Sequence, residues 1–422
     1  MARDGLSIEE QVEILMRGTR FADEADEWGM EAGEGGGLRA QMAAELREKL
    51  KLGRPLRVYL GVDPTGTELH VGHFVPLQKL RQFQELGHQA IFLIGDYTAT
   101  IGDPSGQTSE RRRLSHEQVL EMAKNYTSQA FRLLDPAKTE VRYNGEWLAK
   151  LTFADLIELA SIFPMKQIIA RRDFQQRMER GESFRFHEAL YALMQGYDAY
   201  ALKCDVQVGA YDQHFNLLAG RTIQEYFGDR AHVMITNPLL PGTDGRKMSK
   251  SFGNTININD APFDMYGKTM RVADEYLPQY LELTSSFSGD EIDDLMRQLN
   301  QGVNPMAVKQ RLASNLVRQY YNEAAAAEAE EKFRQVVQQR EAPEAVPEVP
   351  VPPELQGATW VDLCARLGLG ESKSALRRLI EQGGFYIEQV PVRDVQARAA
   401  IPPEGVLIRL GKRQYYRLKP GN

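Results

Sequence analysis

The stretch GVDPTGTELHVGH, residues 61–73, contains the clearest signals of local structure in the chain. The run RVYL before it is β-branched and aromatic, and the glycines and proline that follow predict that a strand ends near residue 62. From Leu69 onward, apolar residues recur mainly at helical spacing. The sequence therefore predicts a strand followed by a helix, with His70 and His73 in the first turn of that helix.

Three interpretations of the His70/His73 pair are open on this stretch alone. The first turn of a helix presents unpaired N–H groups and the positive end of the helix dipole, which favours a nucleotide phosphate site with imidazole donors. Residues at i and i+3 can also share a metal ion, but the sequence nearby holds no Cys or His cluster of the usual spacing. The third interpretation is a pair of ordinary polar residues at a helix start. We predict no permanently bound metal.

Further apolar runs predict a doubly wound, parallel-sheet (Rossmann-like) α/β domain over residues 38–257. AIFLIGD (90–96) has the near-continuous apolar character of a buried parallel strand, and KCDVQVGAYDQ and AHVMITNPLL predict two more strands with helices between them. Ligands of such sheets bind at the carboxyl ends of the strands. Polar residues follow the predicted strands at these ends, namely Asp63, Asp96, Asp103, Asp212 and Gln213.

Composition predicts further domains on either side. An N-terminal helical extension is expected over 1–37 and an α-helical domain over 258–340. Residues 341–356 begin with EAPEAVPEVPVPPE, whose five prolines and four glutamates predict a semi-rigid linker. The last module, 357–422, has eleven Lys and Arg against six Asp and Glu, although the whole chain carries a formal net charge of -7. A basic module thus follows an acidic body.

The N-terminal sequence and the cysteines predict the cellular environment. MARDGLSIEEQVEILMRG has acidic residues where a signal peptide needs an apolar core, and no apolar run approaches the length of a membrane span. Cys204 and Cys364 lie far apart and give no disulfide framework. We expect a cytoplasmic protein with no membrane partner.

A second motif, DGRKMSKSFGN (244–254), suggests polyphosphate binding. Lys247 and Lys250 lie in a loop rich in Gly, Ser and Asn, which can bring two ammonium groups onto a polyphosphate. Alone, such a loop is more often a solvated surface turn. Its combination with His-x-Gly-His upstream favours a nucleotide site.

Together the motifs resemble the class I aminoacyl-tRNA synthetases, and within them the bacterial tyrosyl-tRNA synthetase family. HVGH (70–73) matches the HIGH motif of the class, and KMSKS (247–251) matches its second motif letter for letter. The closer likeness rests on YLGVDPT (59–65), IGDPSG (101–106), YALMQGYD (191–198) and YDQHFN (211–216). With the helical domain and the basic tail, the resemblance covers nearly the whole chain.

The resemblance implies a two-step ligase reaction with ATP and Mg²⁺. The carboxylate of L-tyrosine would attack the α-phosphorus of ATP, giving tyrosyl-adenylate and pyrophosphate, and tyrosine would then pass to the terminal adenosine of tRNA(Tyr). No protein nucleophile is needed, because such catalysis rests on positioning and on stabilising charge on the leaving phosphates. The resemblance also implies a homodimer.

The tyrosine-binding residues that the resemblance implies include three from one helix face. Tyr191, Gln195 and Asp198 are spaced i, i+4 and i+7. The implied set is Tyr59, Asp103, Tyr191, Gln195, Asp198 and Gln213. Tyr59 and Asp198 would bind the phenolic hydroxyl, a group that phenylalanine lacks, while Tyr191 and Gln195 would hold the ammonium group with Asp103.

The ATP-binding residues that the resemblance implies are drawn from both motifs and the segments beside them. They are Gly61, Asp63, Thr65, His70, Gly72, His73, Arg111, Asp212, Lys247, Met248, Ser249, Lys250 and Ser251. The catalytic group among them is Thr65, His70, His73, Lys247 and Lys250. Thr65 and His70 would contact the γ-phosphate, His73 the adenosine and Asp212 the ribose, while the lysines close over the pyrophosphate.

Two departures from the family pattern keep a second function open. The chain has GAYDQ (209–213) where the family usually has Gly-Gly-Ser/Thr-Asp-Gln, and Gln107 where Lys or Arg is common. These changes favour the alternative of a catalytically silent paralogue that keeps the fold and binds RNA. The intact KMSKS motif and the complete set of implied tyrosine-binding residues argue against this alternative.

The C-terminal stretch ESKSALRRLIEQGGFYIEQ (371–389) predicts a capped helix, a Gly-Gly stop and a strand. It resembles a small RNA-binding domain that bacterial tyrosyl-tRNA synthetases share with a ribosomal protein. Arg377 and Arg378 are its predicted tRNA-binding residues.

Overall fold

The computed structural model of the chain divides into two compact units, Met1–Ala329 and Glu330–Asn422. It describes residues 5–21, 37–64, 68–105, 115–183, 185–249, 252–338, 346–370, 372–388, 390–411 and 414–421.

The first unit contains a five-stranded sheet in the order β3-β2-β1-β4-β5, with every neighbouring pair parallel. Its strands are β1 (Arg57–Val62), β2 (Gln89–Ile94), β3 (Thr139–Tyr143), β4 (Val206–Ala210) and β5 (Val233–Asn237). Because β1 pairs with β2 on one side and with β4 on the other, the winding reverses between β1 and β4, where ligands of such sheets bind. The predicted doubly wound parallel sheet is confirmed.

Helices connect and cover these strands. They are α1 (Ile8–Met16), α2 (Leu38–Leu50), α3 (Val71–Glu85), α4 (His116–Ala130), α5 (Gly145–Leu148), α6 (Phe153–Ser161), α7 (Met165–Ile169), α8 (Arg172–Glu179), α9 (Phe186–Ala201) and α10 (His214–Tyr226). The helix predicted after the first strand is present as α3. It contains Pro76, yet it continues to Glu85. A proline removes one helical N–H donor, and the buried apolar face of α3 supplies packing that holds the remaining turns.

A helical region follows the sheet. It comprises α11 (Pro262–Thr269), α12 (Leu277–Thr284), α13 (Gly289–Asn300), α14 (Pro305–Tyr320) and α15 (Glu323–Phe333), which continues into a π-helical turn, Arg334–Gln338. Across the described ranges, every helix falls short of the length and apolar character that a bilayer span requires.

In its described residues, the second unit has a five-stranded sheet in the order β6-β10-β9-β7-β8, with helices in the connections between strands. Its elements are β6 (Glu348–Val351), α16 (Trp360–Arg366), α17 (Lys373–Glu381), β7 (Phe385–Ile387), β8 (Val390–Val392), β9 (Val406–Leu410) and β10 (Gln414–Pro420). The predicted capped helix is α17, whose N-cap Ser372 accepts a hydrogen bond from the Ala375 N–H. After it, Gly383 has a φ of 71°, a conformation that favours glycine, and β7 follows.

Part of the proline-rich stretch predicted as a linker belongs to this second sheet. β6 runs parallel to β10 at the sheet edge, and its Val351 is fully buried in the core of the unit. Prolines are tolerated on an edge strand because one side of the strand makes no ladder hydrogen bonds. The composition predicts extended backbone, which β6 has. It could not predict the pairing of β6 with β10, because β10 lies far along the chain.

A buried lysine joins α1 to α3. The ammonium group of Lys79 donates to the carbonyl oxygens of Arg17 at 2.7 Å and Ile14 at 3.4 Å, at the carboxyl end of α1. The negative end of a helix dipole attracts a cation at this position. Loss of hydration nevertheless lowers the pKa of Lys79 to about 7, and the nearby carboxylate of Glu282 opposes only part of that effect.

Burial of Lys79 predicts that stability depends on pH. The pKa of Lys79 is lower in the folded chain than in the unfolded chain, so the unfolded chain binds more protons between about pH 7 and pH 10. The contribution of Lys79 to the free energy of unfolding therefore increases as pH rises. We expect the difference in unfolding free energy between the wild type and Lys79→Met to increase with pH, by at most about 1.4 kcal/mol per pH unit.

Denaturant unfolding between pH 7 and pH 9.5 measures this difference. Lys124→Met, at an exposed position on α4, is the matched control and should follow the wild-type pH dependence. If the difference in unfolding free energy between the wild type and Lys79→Met stays constant with pH, the pKa of Lys79 is not lowered by burial.

Candidate active site

A cavity of about 450 Å³ opens at the carboxyl ends of β1 and β4, where the winding of the sheet reverses. The predicted residues that line it are Tyr59, Gly61, Asp63, His70, Gly72, His73, Asp103, Tyr191, Gln195, Asp198, Asp212, Gln213, Lys247 and Met248. Ser249 is described but is not among the lining residues. Thr65, Arg111, Lys250 and Ser251 lie outside the described residues, as does Gln107.

A buried carboxylate, Asp198, is held by two donors. The indole Nε1 of Trp147 donates to its Oδ1 at 2.7 Å, and the amide Nδ2 of Asn144 donates to its Oδ2 at 3.2 Å. Desolvation raises the pKa of Asp198 well above its usual range, and these two hydrogen bonds oppose that rise. Neither donor was predicted. Asn144 directly follows β3, so the rule of polar residues at strand ends applies to it, whereas no sequence pattern marks Trp147.

Several buried polar groups of the cavity wall have no hydrogen-bond partner among the described residues, and two of them belong to the predicted tyrosine-binding set. The hydroxyl of Tyr59 and the amide Oε1 of Gln195 are buried without a hydrogen-bond partner among the described residues. Tyr59 lies on β1 with no exposed surface, and loss of hydration raises its pKa well above the usual value. A buried polar group without a hydrogen-bond partner lowers the stability of the folded chain. A ligand that forms hydrogen bonds with these groups would therefore be favoured in this cavity.

The carboxylate of Asp63 is fixed by two hydroxyls. Tyr191 Oη donates to Asp63 Oδ2 at 2.9 Å, and Thr98 Oγ1 donates to Oδ1 at 2.8 Å. Thr98 in turn accepts from Asn144 at 2.9 Å, so the network continues to Asp198. A Cβ added at Gly95 would lie 2.0 Å from Asp63 Oδ1, so this network requires glycine there.

A third carboxylate, Asp103, contacts the turn after β4. Gln213 Nε2 donates to Asp103 Oδ2 at 2.7 Å, and the Ser105 N–H donates to Oδ1 at 2.8 Å. Asn216 supports the arrangement by donating to Gln213 Oε1 at 2.9 Å. Asn216 and Ser105 were not predicted, because each acts through another residue.

Asp212 lies at the mouth of the same region. Its side chain reaches solvent, but the protein around the carboxyl group removes much of its hydration, and Asp103 adds repulsion. Both effects raise the pKa of Asp212 to about 6. A hydrogen-bond donor or a cation from a ligand would favour the ionised form.

The two histidines lie at the N-terminus of α3, as predicted, and their rings face each other with centroids 3.8 Å apart. The backbone N–H of His70 donates to His73 Nδ1 at 3.2 Å, which leaves Nε2 as the protonated nitrogen of a neutral His73 ring. A Cβ at Gly72 would lie 3.1 Å from two atoms of the His70 ring. Glycine between the histidines therefore leaves room for the His70 imidazole.

Backbone hydrogen bonds tie the first motif to the segment that directly follows the second motif. The Val71 N–H donates to the Ile256 carbonyl at 3.0 Å, and the Ile258 N–H donates to the Leu69 carbonyl at 3.0 Å. The start of α3 is thus paired with the segment that follows the lysine loop, although nearly two hundred residues separate them in the chain.

Asn254 organises the loop that carries Lys247. Its Nδ2 donates to Asp244 Oδ1 at 2.8 Å and to the Lys247 carbonyl at 3.2 Å, while its Oδ1 accepts from the Ser249 N–H at 2.8 Å. Lys247 itself is exposed and lines the cavity. Asn254 belongs to the quoted loop sequence but was not predicted as a functional residue.

One departure from the family pattern has a structural explanation. Ala210 lines the cavity, but Tyr211 does not, and the guanidinium of Arg20 lies 4.8 Å from the centre of its ring. The bulk of Tyr211 therefore packs against the N-terminal segment.

Among the described residues, no group of three or more His, Cys, Asp or Glu side chains is arranged to hold a metal ion.

Residues 51–338 match the family model described as tRNA synthetases class I (W and Y). A tyrosine–tRNA ligase from Carboxydothermus hydrogenoformans is 44% identical over 383 residues, covering 90% of this chain and 93% of that protein. The tyrosine–tRNA ligase of Desulfotalea psychrophila is 42% identical over 416 residues, covering 98% of each chain. This chain belongs to the class I tRNA synthetases, within the tyrosine–tRNA ligase family.

Solved structures support the fold. A C-terminally truncated mitochondrial tyrosyl-tRNA synthetase from Aspergillus nidulans has a TM-score of 0.61 at 22% identity, covering 78% of this chain and 94% of that one. The tyrosyl-tRNA synthetase of Archaeoglobus fulgidus, solved with L-tyrosine, has a TM-score of 0.58 at 20% identity, covering 77% and 100%. At these identities the likeness concerns the fold alone.

Proposed function

We propose that the cavity binds L-tyrosine and ATP together and that the chain acts as a tyrosine–tRNA ligase. It activates tyrosine to tyrosyl-adenylate with release of pyrophosphate and transfers the tyrosine to tRNA(Tyr). The observation that carries this proposal is the polar pair Tyr59 and Asp198, buried in the wall of an otherwise partly apolar cavity. Membership of the tyrosine–tRNA ligase family supports it.

The pair selects the phenolic hydroxyl of the substrate. Asp198 accepts a hydrogen bond from that hydroxyl, and the unpartnered Tyr59 hydroxyl completes the contact. Trp147 and Asn144 keep the carboxylate in place before the substrate arrives. Phenylalanine leaves these buried polar groups unpaired, and that penalty is the source of selectivity.

The ammonium group of tyrosine binds among acceptors. Asp103 provides a carboxylate, Gln195 an unpartnered amide oxygen and Tyr191 a phenolic oxygen, and all three line the cavity. Gln213 borders this group through its hydrogen bond to Asp103. Opposite charge and open acceptors make this part of the cavity complementary to an ammonium ion.

ATP binds over the start of α3. His70 with Thr65 contacts the terminal phosphate, His73 contacts the adenosine, and Asp212 accepts from the ribose hydroxyls. The unpaired N–H groups of the helix start add a site for negative charge. The backbone around Gly61, Asp63 and Gly72 shapes this part of the cavity.

Lys247, with Lys250, Ser251 and Arg111, neutralises charge that develops on pyrophosphate as the tyrosine carboxylate attacks the α-phosphorus. Mg²⁺ bound to the ATP phosphates would neutralise part of the same charge on the pyrophosphate leaving group. Met248 and Ser249 hold the lysine loop near the nucleotide. Positioning and charge stabilisation supply the catalysis, without a covalent enzyme intermediate.

The selectivity proposal predicts opposite changes in stability and discrimination for Tyr59→Phe. Removing an unpartnered buried hydroxyl should raise the ligand-free unfolding free energy by about 1 kcal/mol. The same change should narrow the kcat/KM ratio of tyrosine over phenylalanine about tenfold, and Asp198→Ala should impair tyrosine use more severely.

Tyr280→Phe is the matched control, because its buried hydroxyl does have a partner, the Pro241 carbonyl at 2.7 Å. That variant should lose stability and keep its discrimination. Denaturant unfolding and adenylate-formation kinetics with both amino acids measure the two quantities. Unchanged selectivity in both Tyr59→Phe and Asp198→Ala would remove these residues from the hydroxyl site.

The lysine loop predicts a rate effect. Lys247→Ala should slow adenylate formation by a factor that corresponds to a few kcal/mol, while tyrosine affinity changes little, because the charge acts mainly on the transition state. The exposed Lys124→Ala on α4 should behave like the wild type. Pre-steady-state activation of Lys247→Ala within about twofold of wild type would contradict the assigned role.

The second unit is proposed to hold tRNA. Arg377 and Arg378 are both exposed on α17, in a module with an excess of basic residues. Such residues contact phosphates, and binding of this kind weakens as salt rises. We propose that the helical region, as a domain over 258–340, contacts the anticodon region of the tRNA.

We also propose that the protein works in the cytoplasm, where tRNA is charged.

A chain that ends at residue 345 tests the separation of activation from tRNA binding. The cut precedes β6, so it removes the second sheet whole and leaves every residue assigned to activation. Tyrosine-dependent pyrophosphate exchange should persist, whereas charging at sub-saturating tRNA should fall greatly. Full charging by the shortened chain, or loss of exchange in a folded one, would refute the proposal.

We propose that the homodimer forms through α6, α7 and α9. These helices pack together around one apolar cluster, yet large apolar side chains on their outer side stay exposed, namely Phe153, Ile157, Met165 and Phe186 at 78%, 57%, 53% and 66%. An apolar surface of this kind marks an association site, and a two-fold contact with a second copy covers the same patch on both chains.

Phe186→Glu should therefore yield monomers by light scattering, while Leu52→Glu, at an exposed leucine far from these helices in the chain, should leave the dimer intact. A monomeric wild type, or a dimeric Phe186→Glu chain, would rule out this interface.

A further inference from the structure

A second cavity in the first unit, of about 510 Å³, lies between α1, α3 and the α12–α13 corner. It is separate from the cavity assigned to tyrosine and ATP, and α3 contributes to both. Gly72 and His73 face the first cavity, whereas Gln78, Lys79 and Gln82 face the second. None of the residues assigned to the ligase reaction lines the second cavity.

The charged groups that line this cavity are mainly acidic. Glu10, Glu13, Glu282 and Asp290 contribute four carboxyl groups, against the two cations Arg17 and Lys79. An anionic ligand therefore meets net repulsion there, and a cationic one meets attraction.

The two cations of the cavity are already engaged. Arg17 donates through Nε to Glu282 at 2.9 Å and through Nη2 to Asp293 at 2.6 Å. Lys79 donates to two backbone carbonyls at the end of α1. Both cations of the cavity wall thus bind groups within the protein.

Two amide acceptors of the cavity wall, in contrast, are buried without a hydrogen-bond partner among the described residues. Asn237 is only 1% exposed and donates through Nδ2 to the Gly18 carbonyl at 3.3 Å, but its Oδ1 has no hydrogen-bond partner among the described residues. Gln82 Oε1 is likewise buried without a partner in the described part of the chain. Both residues line the cavity, so a ligand that donates hydrogen bonds satisfies two otherwise unpaired groups.

The remaining walls are apolar. Leu6, Ile14, Val75, Leu283, Phe287 and Ile292 line the cavity. Such walls favour methylene groups and offer nothing to a hydrated metal ion, and the described residues hold no cluster of three or more metal-ligating side chains. The combination of carboxylates, open amide acceptors and apolar walls fits a short aliphatic chain with amino groups.

We propose that this cavity is a binding site for an aliphatic polyamine, with ammonium groups at the carboxylates and at the amides of Asn237 and Gln82, and with methylenes along the apolar wall. The site is independent of the tyrosine and ATP contacts. Because the ligand binds the folded chain, it raises the thermal midpoint and holds α1 against α3.

Calorimetric titration of the full chain with spermidine, without tRNA and at fixed ionic strength, tests the proposal. We expect saturable binding of one spermidine per chain, with Mg²⁺ at the same concentration giving no saturable heat. The double variant Glu13→Gln/Asp290→Asn should bind about tenfold more weakly. Glu225→Gln/Asp264→Asn removes the same charge from exposed helical positions elsewhere and should bind within about twofold of the wild type.

Gln82→Leu provides a second test that does not depend on charge. Replacing an unpartnered buried acceptor with an apolar side chain should not unfold the chain, but spermidine affinity should drop several-fold. Absence of saturable spermidine binding to the wild type would overturn the proposal. So would equal affinity in the cavity variants and the control, or binding of Mg²⁺ as tight as that of spermidine.

Discussion

The pairing of β1 with β4 as parallel neighbours is the constraint on which the site depends. Tyr59 lies opposite Gln207 in this pair, so the two strands end side by side and the chain leaves them toward different helices. The gap between those exits is the cavity. Residues that are more than a hundred positions apart, such as Asp63 and Tyr191, come within 2.9 Å of each other because of this topology.

Hydrogen bonds fix the polar side chains in the part of the cavity that is proposed to select the substrate. A continuous set of hydrogen bonds runs from Tyr191 through Asp63, Thr98 and Asn144 to Asp198. Placing these groups in a buried cavity costs folding free energy, and the unpartnered Tyr59 hydroxyl is the clearest part of that cost. In the proposed complex, the tyrosine substrate pairs with these groups and recovers this free energy, so the stability penalty and the selectivity would have one source.

Much of the fold was predictable because its information is local. The apolar run of β2, the strand-to-helix change before α3 and the Gly-Gly stop after α17 each follow from a few neighbouring residues, and the structure confirms them. The contact between Trp147 and Asp198 and the pairing of β6 with β10 were not predictable, because each depends on residues distant in sequence. The residues of the cavity were proposed from a resemblance, and the structure adds Asn144, Thr98 and Asn254 as their supports.

The cavity is proposed to activate tyrosine in preference to every other amino acid. Exchange of labelled pyrophosphate into ATP, measured with the full chain and each amino acid separately, reports this preference. We expect exchange that depends on tyrosine and is weak or absent with phenylalanine and tryptophan. Absence of tyrosine-dependent exchange in a folded chain would refute the proposed activity and support a silent RNA-binding paralogue. Equal exchange with tryptophan would contradict the role given to Tyr59 and Asp198.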